Sequence, residues 1–395
     1  MRLKITREID VPDPMKLDRF RRIPELGPKI LFFSGGSALY DVSRALVRYT
    51  HNSIHIVTPF DSGGSSAKLR SEFDMPAIGD VRHRLMALAD QSYHGNPEIF
   101  ALFGHRLPKD ASKEALAETL SRLAKGRHPL ISSIPDPMRK LIRYHLRRFR
   151  SYASDGFDLR GASLGNLVLA AGYLDNRRHM DPVVFLFSKL VEVRGVVRPV
   201  VNRSLHLQVD LEDGTVIDRQ HRFTGKVTES ITSRILDIRL IAAHDPAAPV
   251  EVAIRKKTAD LIREAELICF PMGSFYSSII ATLLPAGVGR AIVENACPKV
   301  FIPNTGDDPE CVGMSLGDQV SQLLRYIKRD LDGTVDGHLI DIILLDDAPN
   351  RYKGELSRTD LDALGIQVLR HHLVSDKTAP YIDAELLNPV LLSLC

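Results

Sequence analysis

Residues 53–70 read SIHIVTPFDSGGSSAKLR, an apolar strand that runs directly into a loop rich in glycine and serine. A second loop of this kind lies upstream, because the apolar run 29–33 ends in Ser34-Gly35-Gly36-Ser37. The helical pattern of residues 39–49 lies between the two strands and completes a strand–helix–strand unit, which is typical of a parallel sheet. Ligands bind at the carboxyl ends of such strands, so both loops are candidates for one site.

The α/β pattern returns in the second half of the chain. Apolar runs predict strands at 266–270, 299–303, 342–345 and 367–369, and helices at 258–264, 276–284 and 319–329. The first two of these strands end in further turns, at residues 271–274 and 304–307. Four strand-terminal turns in one α/β chain favour a phosphate site, because glycine admits a close ligand and serine supplies neutral donors.

Two regions interrupt this pattern. Residues 97–150 are helical and charged, and the basic run 139–150 has apolar residues Leu141, Ile142, Leu146 and Phe149 at helical spacing. That run is either an amphipathic helix with a solvated basic face or a basic wall towards an anionic ligand. Alternating residues at 205–211 and 216–218, with Asp-Gly between them, predict a β-hairpin.

The composition limits the class of protein. The chain has 395 residues, 44% hydrophobic and 26% charged, enough for one large α/β core or two ordinary ones. Its formal charge of +3 gives no general reason to expect nucleic acid or a membrane as partner. Four cysteines without CxxC spacing, no apolar leader and no membrane-length apolar run predict a reduced, cytoplasmic protein.

Several familiar site motifs are missing. The turn Gly35-Gly36-Ser37-Ala38 lacks GxGxxG, and no GxxxxGK[ST] sequence occurs. No HxxxH pair falls on a predicted helix, which argues against a zinc site. Ser163 stands in a GxSxG sequence, but no strong strand leads into it, so we do not predict a nucleophile there.

The acidic candidates each have two interpretations. Asp61 either binds a divalent metal or an acceptor hydroxyl, or it caps its own loop. Asp80 either faces the ligand or serves as the N-cap of the next helix, and Arg82 either holds phosphate or pairs with Asp80. Ser163 and Asn166 lie near the start of an apolar helix, whose N-terminus suits an anion.

The order of these loops resembles the CofD-like family, which includes 2-phospho-L-lactate transferases of deazaflavin coenzyme biosynthesis and YvcK-type regulators that bind nucleotide sugars. The resemblance covers about residues 29–327. It rests on a succession of sequences: the Gly-Gly turn at 35–36, DSGGSSAKLR at 61–70, MPAIGDVR at 75–82, SLGNL at 163–167, GSFYSSI at 273–279 and PNT at 303–305.

The resemblance implies a Rossmann-like, three-layer α/β/α fold with a mainly parallel sheet, a helical insertion and a small β-hairpin region. We accordingly divide the chain into an N-terminal extension, 1–27, and one CofD-like α/β domain, 28–395. A helical insertion at about 97–150 and a β-rich insertion at about 196–243 interrupt that domain. The family resemblance also implies a homodimer.

The resemblance associates Asp61 with catalysis and with a metal ion, for which we expect Mg²⁺. The expected ligand is a nucleotide or a nucleotide-linked small molecule. The residues that the loops and the resemblance assign to nucleotide or phosphate binding are Gly35, Gly36, Ser37, Gly63, Gly64, Ser65, Ser66, Asp80, Arg82, Asn166, Gly273, Ser274 and Asn304.

The chain also departs from the family pattern. Ser62 replaces the usual second aspartate, Ala162 replaces a histidine, and Gln319 replaces the histidine of a late Asp-His pair. These losses bear on metal binding and on transfer of the phospholactyl group. They place the chain in a divergent branch, of the type assigned to the bacterial GAK system.

Three functions follow as hypotheses. In the first, the chain is a transferase that moves a phosphate-containing group from a nucleotide-activated donor to a hydroxyl, as 2-phospho-L-lactate transferase does; Asp61 favours it. In the second, it is a non-catalytic regulator of the YvcK type that binds a nucleotide sugar; Ser62, Ala162 and Gln319 favour it. In the third, it is a scaffold that has kept the fold and lost the ligand.

Overall fold

A large parallel sheet forms the centre of the protein. The computed structural model describes residues 8–92, 95–225, 230–245, 249–331, 339–348, 351–354 and 357–395. The strands in this part of the chain are β1 (Ile30–Ser34), β2 (Ile54–Val57), β3 (Val196–Pro199), β4 (Leu205–Leu211), β5 (Val216–Asp218), β6 (Ile235–Ala242), β7 (Leu267–Phe270), β8 (Lys299–Phe301), β9 (Ile342–Asp346) and β10 (Gln367–His371). Seven of them pair in parallel in the order β10-β9-β8-β7-β1-β2-β3.

Helices cover both faces of this sheet. They are α1 (Pro14–Arg22), α2 (Tyr40–Leu46), α3 (Gly64–Phe73), α4 (Gly79–Ala87), α5 (Pro97–Gly104), α6 (Lys113–Lys125), α7 (Pro129–Ser132), α8 (Met138–Tyr152), α9 (Leu164–Asp175), α10 (Met180–Leu190), α11 (Lys256–Arg263), α12 (Ala281–Leu283), α13 (Val288–Val293), α14 (Leu316–Lys328), α15 (Arg358–Leu364) and α16 (Ala384–Ser393). The segment Phe275–Ile280 before α12 is a π-helix, where the sequence predicts one continuous helix.

Alternate residues of the central strand β1 face opposite layers. Leu31 and Phe33 pack with Ile292 of α13 in one hydrophobic cluster, whereas Ile30 and Phe32 pack in another that also contains Leu46 of α2 and Leu391 of α16. Because every residue of β1 is buried, the strand shows the continuous apolar run expected of a parallel sheet covered on both faces. The predicted Rossmann-like, three-layer α/β fold is confirmed.

A second, small sheet is antiparallel, in the order β5-β4-β6. It contains the predicted hairpin, whose turn places Gly214 at a φ of +85°. The predicted β-rich stretch begins instead with β3, which pairs in parallel with β2 and belongs to the large sheet. Residues 226–229 of that stretch, and residues 1–7 of the predicted N-terminal extension, lie outside the described residues; the domain limits stay predictions.

The helical region packs in a hydrophobic cluster that also contains Val57 of β2 and Val197 of β3. Residues of α4 to α10 share one hydrophobic cluster, in which α8 contributes Ile142, Leu146 and Phe149. Leu141, which we predicted on the same apolar face, is 40% exposed. Across the described part of the chain, no helix combines the length and the apolar character needed to cross a membrane.

The order of strands defines one special point in the large sheet. From β1 the chain proceeds to β2 and β3 on one side, while β7 to β10 fill the other side. The loops that leave β1 and β7 therefore diverge in opposite directions. A crevice forms at such a switch point, and ligands of open α/β sheets bind there.

Candidate functional site

A cavity of about 880 Å³ lies at the switch point, where the loops after β1, β2, β7 and β8 meet. It contains most of the residues that the sequence predicted. The predicted site residues that line it are Gly35, Gly36, Ser37, Asp61, Gly63, Asp80, Gly273, Ser274 and Asn304. Parallel strands bring these distant loops to one edge of the sheet, as the strand–loop pattern predicts.

The first glycine turn leaves no room for side chains. A Cβ on Gly36 would overlap Oδ1 of Asp80 and lie 3.1 Å from its Cγ. A Cβ on Gly35 would lie 2.5 Å from Oγ of Ser278. Neither glycine has a positive φ, so both are required by the close approach of these neighbours rather than by a left-handed backbone.

Arg84 of α4 holds this turn from within the core. Its fully buried guanidinium donates hydrogen bonds to the carbonyl oxygens of Leu39, at 2.8 Å, and Gly35, at 2.9 Å. Burial lowers the pKa of Arg84 to about 10, so the group remains charged at neutral pH. A buried cation thus lies directly behind the glycine turn, where the low dielectric strengthens its attraction for an anion.

Asp80 does not have the capping role that its position predicts. Helix α4 begins at Gly79 with Ile78 as its N-cap, so Asp80 lies inside the first turn. Of the two interpretations of Asp80, the one that makes it an N-cap is therefore wrong. Its carboxylate packs against Gly36 and lines the cavity instead.

Asp61 caps its own loop and also lines the cavity. Its Oδ1 accepts a hydrogen bond from the backbone N–H of Gly63 at 3.1 Å, which uses one carboxylate oxygen. Arg70 fixes the same loop, because it donates to the carbonyl oxygens of Phe60 and Asp61 at 3.1 and 2.9 Å. Arg70 also donates to the carbonyl oxygen of Leu205 in β4, which ties the loop to the small sheet.

Ser62, at the position of the family's usual second aspartate, forms hydrogen bonds with a histidine. Its Oγ lies 2.9 Å from Nδ1 of His221 and accepts the backbone N–H of His221 at 3.1 Å. Ser62 is buried behind the wall, whereas His221 lines the cavity. The pKa of His221 is lowered, chiefly by burial and then by Arg219 and Arg222, so its imidazole is mainly neutral at pH 7.

The remaining predicted site residues lie outside the lining of the cavity. They are Gly64, Ser65, Ser66, Arg82 and Asn166. Asn166 Nδ2 donates to Ser65 Oγ at 3.2 Å, which joins the start of α9 to the start of α3. Arg82 donates to the carbonyl oxygen of Phe103 at 3.4 Å, and burial lowers its pKa to about 10. Arg82 is thus a second buried cation close to Asp80.

The Gly273-Ser274 turn lines the cavity, but the side chain of Asn304 forms hydrogen bonds with both backbone polar groups of Gly273. Asn304 Oδ1 accepts the N–H of Gly273 at 2.8 Å, and its Nδ2 donates to the carbonyl oxygen of Gly273 at 2.7 Å. A single side-chain amide therefore satisfies both polar groups of this glycine. Asn304 positions the turn in addition to lining the cavity.

The helix that follows this turn donates its first amides to two carboxylates, those of Asp308 and Glu310. Phe275 N–H donates to Asp308 Oδ2 at 2.8 Å, while Tyr276 and Ser277 donate to Glu310 Oε2 at 2.9 and 2.7 Å. Glu310 is 1% exposed. These three amides are taken by residues of the chain itself, so this N-terminus does not offer them to an anionic ligand.

The carboxylates at the cavity fit a Mg²⁺ ion that arrives with a phosphate ligand. Asp61 and Asp80 both line it, and Mg²⁺ is usually bound by one or two carboxylates together with phosphate oxygens and water. Within the described residues, the group of three side chains spaced to share an ion lies elsewhere, at Asp346, Asp347 and His372. Asp346 there already accepts several backbone N–H groups, such as that of Leu373 at 2.9 Å.

Two other predicted features lie away from the cavity. Ser163 of the GxSxG sequence is fully buried, and its Oγ donates to the carbonyl oxygen of Phe103 at 3.3 Å. This is a structural role, in keeping with our exclusion of a nucleophile. No residue of the basic helix α8 is among those lining the cavity.

A family model described as 2-phospho-L-lactate transferase CofD matches residues 30–374, which span the large sheet and the loops around the cavity. The chain belongs to the CofD family. This confirms the family that the ordered loops indicate. The matched region ends before the last segment that lines the cavity.

Relatives of this CofD-family chain include proteins named gluconeogenesis factors. That of Bacillus subtilis is 30% identical over 358 residues, which cover 89% of this chain and 92% of that protein. A putative gluconeogenesis factor of a Nostoc species is 30% identical over 295 residues, 74% of this chain and 51% of that protein, so the chain spans about half its length. A crystal structure of a UPF0052-family protein from Bacillus halodurans has the same fold, with a TM-score of 0.67 at 24% identity over 92% of this chain and 99% of that one.

Residues from two distant segments of the CofD-family chain reach the cavity without having been predicted from the sequence. Gln220, His221 and Thr224 follow β5, and Lys377 and Tyr381 follow β10. No local pattern marks these residues, because their placement depends on how whole elements pack.

The sequence does indicate that Arg84 is buried. Arg84 lies three residues after Val81 and four before Leu88, which places it on the apolar face of its helix. An arginine at such a position must satisfy its donors inside the protein. Its bonds to the first glycine turn are the result.

Proposed function

We propose that this chain binds the phosphates of a nucleotide-linked compound in the cavity and acts as a ligand-sensing regulator of the YvcK type. One observation carries the binding: the glycine turns after β1, β2 and β7 meet in a single cavity at the switch point of the sheet. Open α/β sheets bind nucleotides at this place.

The charges around the cavity suit a phosphate. Arg84 is buried behind the first turn and Arg82 is buried two residues earlier on α4, and burial in a low dielectric makes their attraction for an anion stronger than that of surface cations. Gly35 and Gly36 line the cavity, so this turn presents its backbone to a ligand. The phosphate groups would lie over this turn, and Asp61 and Asp80 are the carboxylates that would hold a Mg²⁺ ion, which would offset the charge of the phosphates.

Two features favour sensing over turnover. Ser62 replaces a carboxylate and has its hydroxyl engaged by His221, so Asp61 is left as the acidic residue of its loop. The names of the relatives, gluconeogenesis factors, point in the same direction. In a regulator, ligand binding must change the conformation of the protein. Asp80, Arg84 and Asn304 contact the turns, so a ligand that moves the turns would also move these residues.

Transfer is the second candidate, and Asp61 is the observation that favours it. Asp61 lines the cavity next to Gly63, where its carboxylate can orient an acceptor hydroxyl towards the phosphorus of a nucleotide-activated donor. The hydroxyl oxygen would form the new P–O bond as the bond to the nucleoside monophosphate breaks, and the hydroxyl proton would pass to a base. A bound Mg²⁺ would offset charge on the phosphate oxygens.

Calorimetric titration of the full chain separates these functions. GDP, UDP and their sugar conjugates are titrated with and without Mg²⁺, for the wild type, Asp61→Asn and the exposed control Asp155→Asn. Sensing predicts binding by the wild type with no release of nucleoside monophosphate over hours, whether or not an acceptor is present, and Asp61→Asn should weaken only the Mg²⁺-dependent part of that binding. Transfer predicts Mg²⁺-dependent binding and release of nucleoside monophosphate when an acceptor is present, both lost in Asp61→Asn. No binding of any of these compounds would reject both.

We also propose, from the family resemblance, that the protein works as a homodimer in the cytoplasm. Sedimentation equilibrium at several protein concentrations tests whether the protein is a dimer. A mass near 88 kDa, twice the chain mass of 44.0 kDa, is expected. A constant mass of one chain would contradict it.

A further inference from the structure

The C-terminal segment 375–382 forms a wall of the cavity and lies beyond the matched family region. Lys377, Thr378, Tyr381 and Ile382 of this segment all line the cavity, whereas the family model ends at residue 374. The wall therefore comes from a part of the chain that the family match does not include. Its side chains are candidates for ligand recognition outside the matched region.

This segment is held firmly in place. The backbone N–H groups of Thr378 and Ala379 both donate to the carbonyl oxygen of Ser375, and Tyr381 N–H donates to the carbonyl oxygen of Thr378 at 2.8 Å. Ser375 Oγ donates to Asp383 Oδ2 at 2.6 Å. Ile382 is buried in the cluster beneath α16. The backbone that carries Tyr381 is thus fixed on both sides.

The side chain of Tyr381 is nevertheless 68% exposed. Its ring lies beside Gly306, where a Cβ would come within 3.3 Å of Cε1. Gly306 belongs to the loop after β8, two residues beyond Asn304. An aromatic ring that is exposed, positioned by its backbone and located at the edge of a cavity offers a face on which another ring can stack.

The order of the strands sets the distance from this ring to the acidic end of the cavity. Asp61 follows β2, and the ring of Tyr381 lies by the loop after β8, three strands away in the order β8-β7-β1-β2. At about 4.8 Å per strand, the two ends are separated by roughly 14 Å. An extended nucleoside diphosphate can bridge such a distance. The glycine turns after β7 and β1 lie between the two ends.

We infer that Tyr381 stacks on the base of the bound nucleotide, so that the base lies over the loop after β8 and the phosphates extend across the glycine turns towards Asp61. Lys377, on the same wall, attracts the negatively charged phosphates electrostatically. This inference rests on the proposed function, because it requires a nucleotide in the cavity. It adds the orientation of the ligand and a residue that recognises the base.

Three variants of Tyr381 test the inference by calorimetry, with GDP, UDP and inorganic pyrophosphate as probes. Stacking on an aromatic residue contributes enough that Tyr381→Ala is expected to weaken nucleoside diphosphate binding about 10-fold. Pyrophosphate has no base, so its affinity should change less than about 2-fold. Tyr381→Phe keeps the ring and should bind as the wild type does.

Tyr381→Trp adds a direct readout, because the chain has no tryptophan. A base stacked on the indole should quench its fluorescence, whereas pyrophosphate should not. Phe185→Trp is the matched control, since Phe185 on α10 is 65% exposed and is not among the lining residues. Its emission should not respond to either probe.

Each outcome decides the inference. Weaker nucleoside diphosphate binding by Tyr381→Ala, with pyrophosphate binding intact and quenching at position 381, supports it. Unchanged nucleoside diphosphate binding, or an equal loss for pyrophosphate, overturns it while the proposed function stands. A wild-type protein that binds no nucleotide overturns both.

Discussion

Gly36→Ala is the sharpest single test of the first turn. A Cβ at this position would overlap Asp80 Oδ1 and lie 3.1 Å from Cγ and 3.3 Å from the Asp80 backbone Cα. Ordinary contacts to a Cβ are 3.4–4 Å, so Asp80 must rotate and α4 must shift slightly. Overpacking of this kind costs about 1–3 kcal/mol. We expect urea denaturation to show that loss in the free energy of unfolding, and calorimetry to show nucleotide affinity lowered about 10-fold.

Three further variants, Gly104→Ala, Asp80→Ala and the double variant Asp80→Ala/Gly36→Ala, make this result specific. Gly104→Ala is the control, because a Cβ at Gly104 in α5 meets no atom within 4 Å, and alanine there should leave stability unchanged or raise it by up to about 1 kcal/mol. In an Asp80→Ala background, Gly36→Ala should cost less than half as much, since the overlapping carboxylate is gone. Additive losses in this double-mutant cycle, or a Gly36→Ala protein as stable as the wild type, would refute the contact.

The other predictions concern neighbouring elements. Glu310→Gln should lower the free energy of unfolding by about 2–4 kcal/mol, because a buried carboxylate that accepts the N–H groups of Tyr276 and Ser277 loses its charge; an unchanged urea midpoint would contradict it. Burial, followed by Arg82 and Arg84, lowers the pKa of His83 to about 4 from 6.5, so between these values the unfolded chain takes up a proton that the native imidazole does not. The free energy of unfolding should therefore fall as the pH drops through that window, and His83→Gln should remove about 1 kcal/mol of the loss at pH 5; an identical pH profile in the variant would exclude this origin. Ser62→Asp should raise the pKa of His221, which lies 2.9 Å from the Ser62 hydroxyl, whereas Ser62→Ala should not; proton NMR titration of the imidazole decides, and equal pKa values in both variants would contradict the pairing.

Much of the fold could be predicted because its signals are local. The buried runs of β1, β2 and β7 are mostly apolar and each leads into a loop that contains glycine, and the helices between them show helical spacing. The π-helix at Phe275–Ile280 departs from this pattern. The Asp-Gly pair at 213–214 likewise marks its hairpin.

The site was less predictable than the fold. Glycine turns and Asp61 are visible as local motifs, and the cavity does gather them. The partners of these residues come from far away in sequence: Arg84 binds a carbonyl oxygen 49 residues earlier, and Ser62 meets a histidine 159 residues later. Such contacts depend on tertiary packing, which local patterns do not encode.

The same reason explains the helix after Ser274. Asp308 and Glu310, more than 30 residues on, accept its first amides. Their role is invisible without the fold.

A crystal structure of the full chain with a nucleoside diphosphate and Mg²⁺ tests the central claim most directly. The account predicts the phosphates within hydrogen-bonding distance of the Gly35–Gly36 turn, on the side of the cavity that Asp61 and Asp80 line. Phosphates bound away from this turn, with the cavity lined by Asp61 left empty, would contradict it.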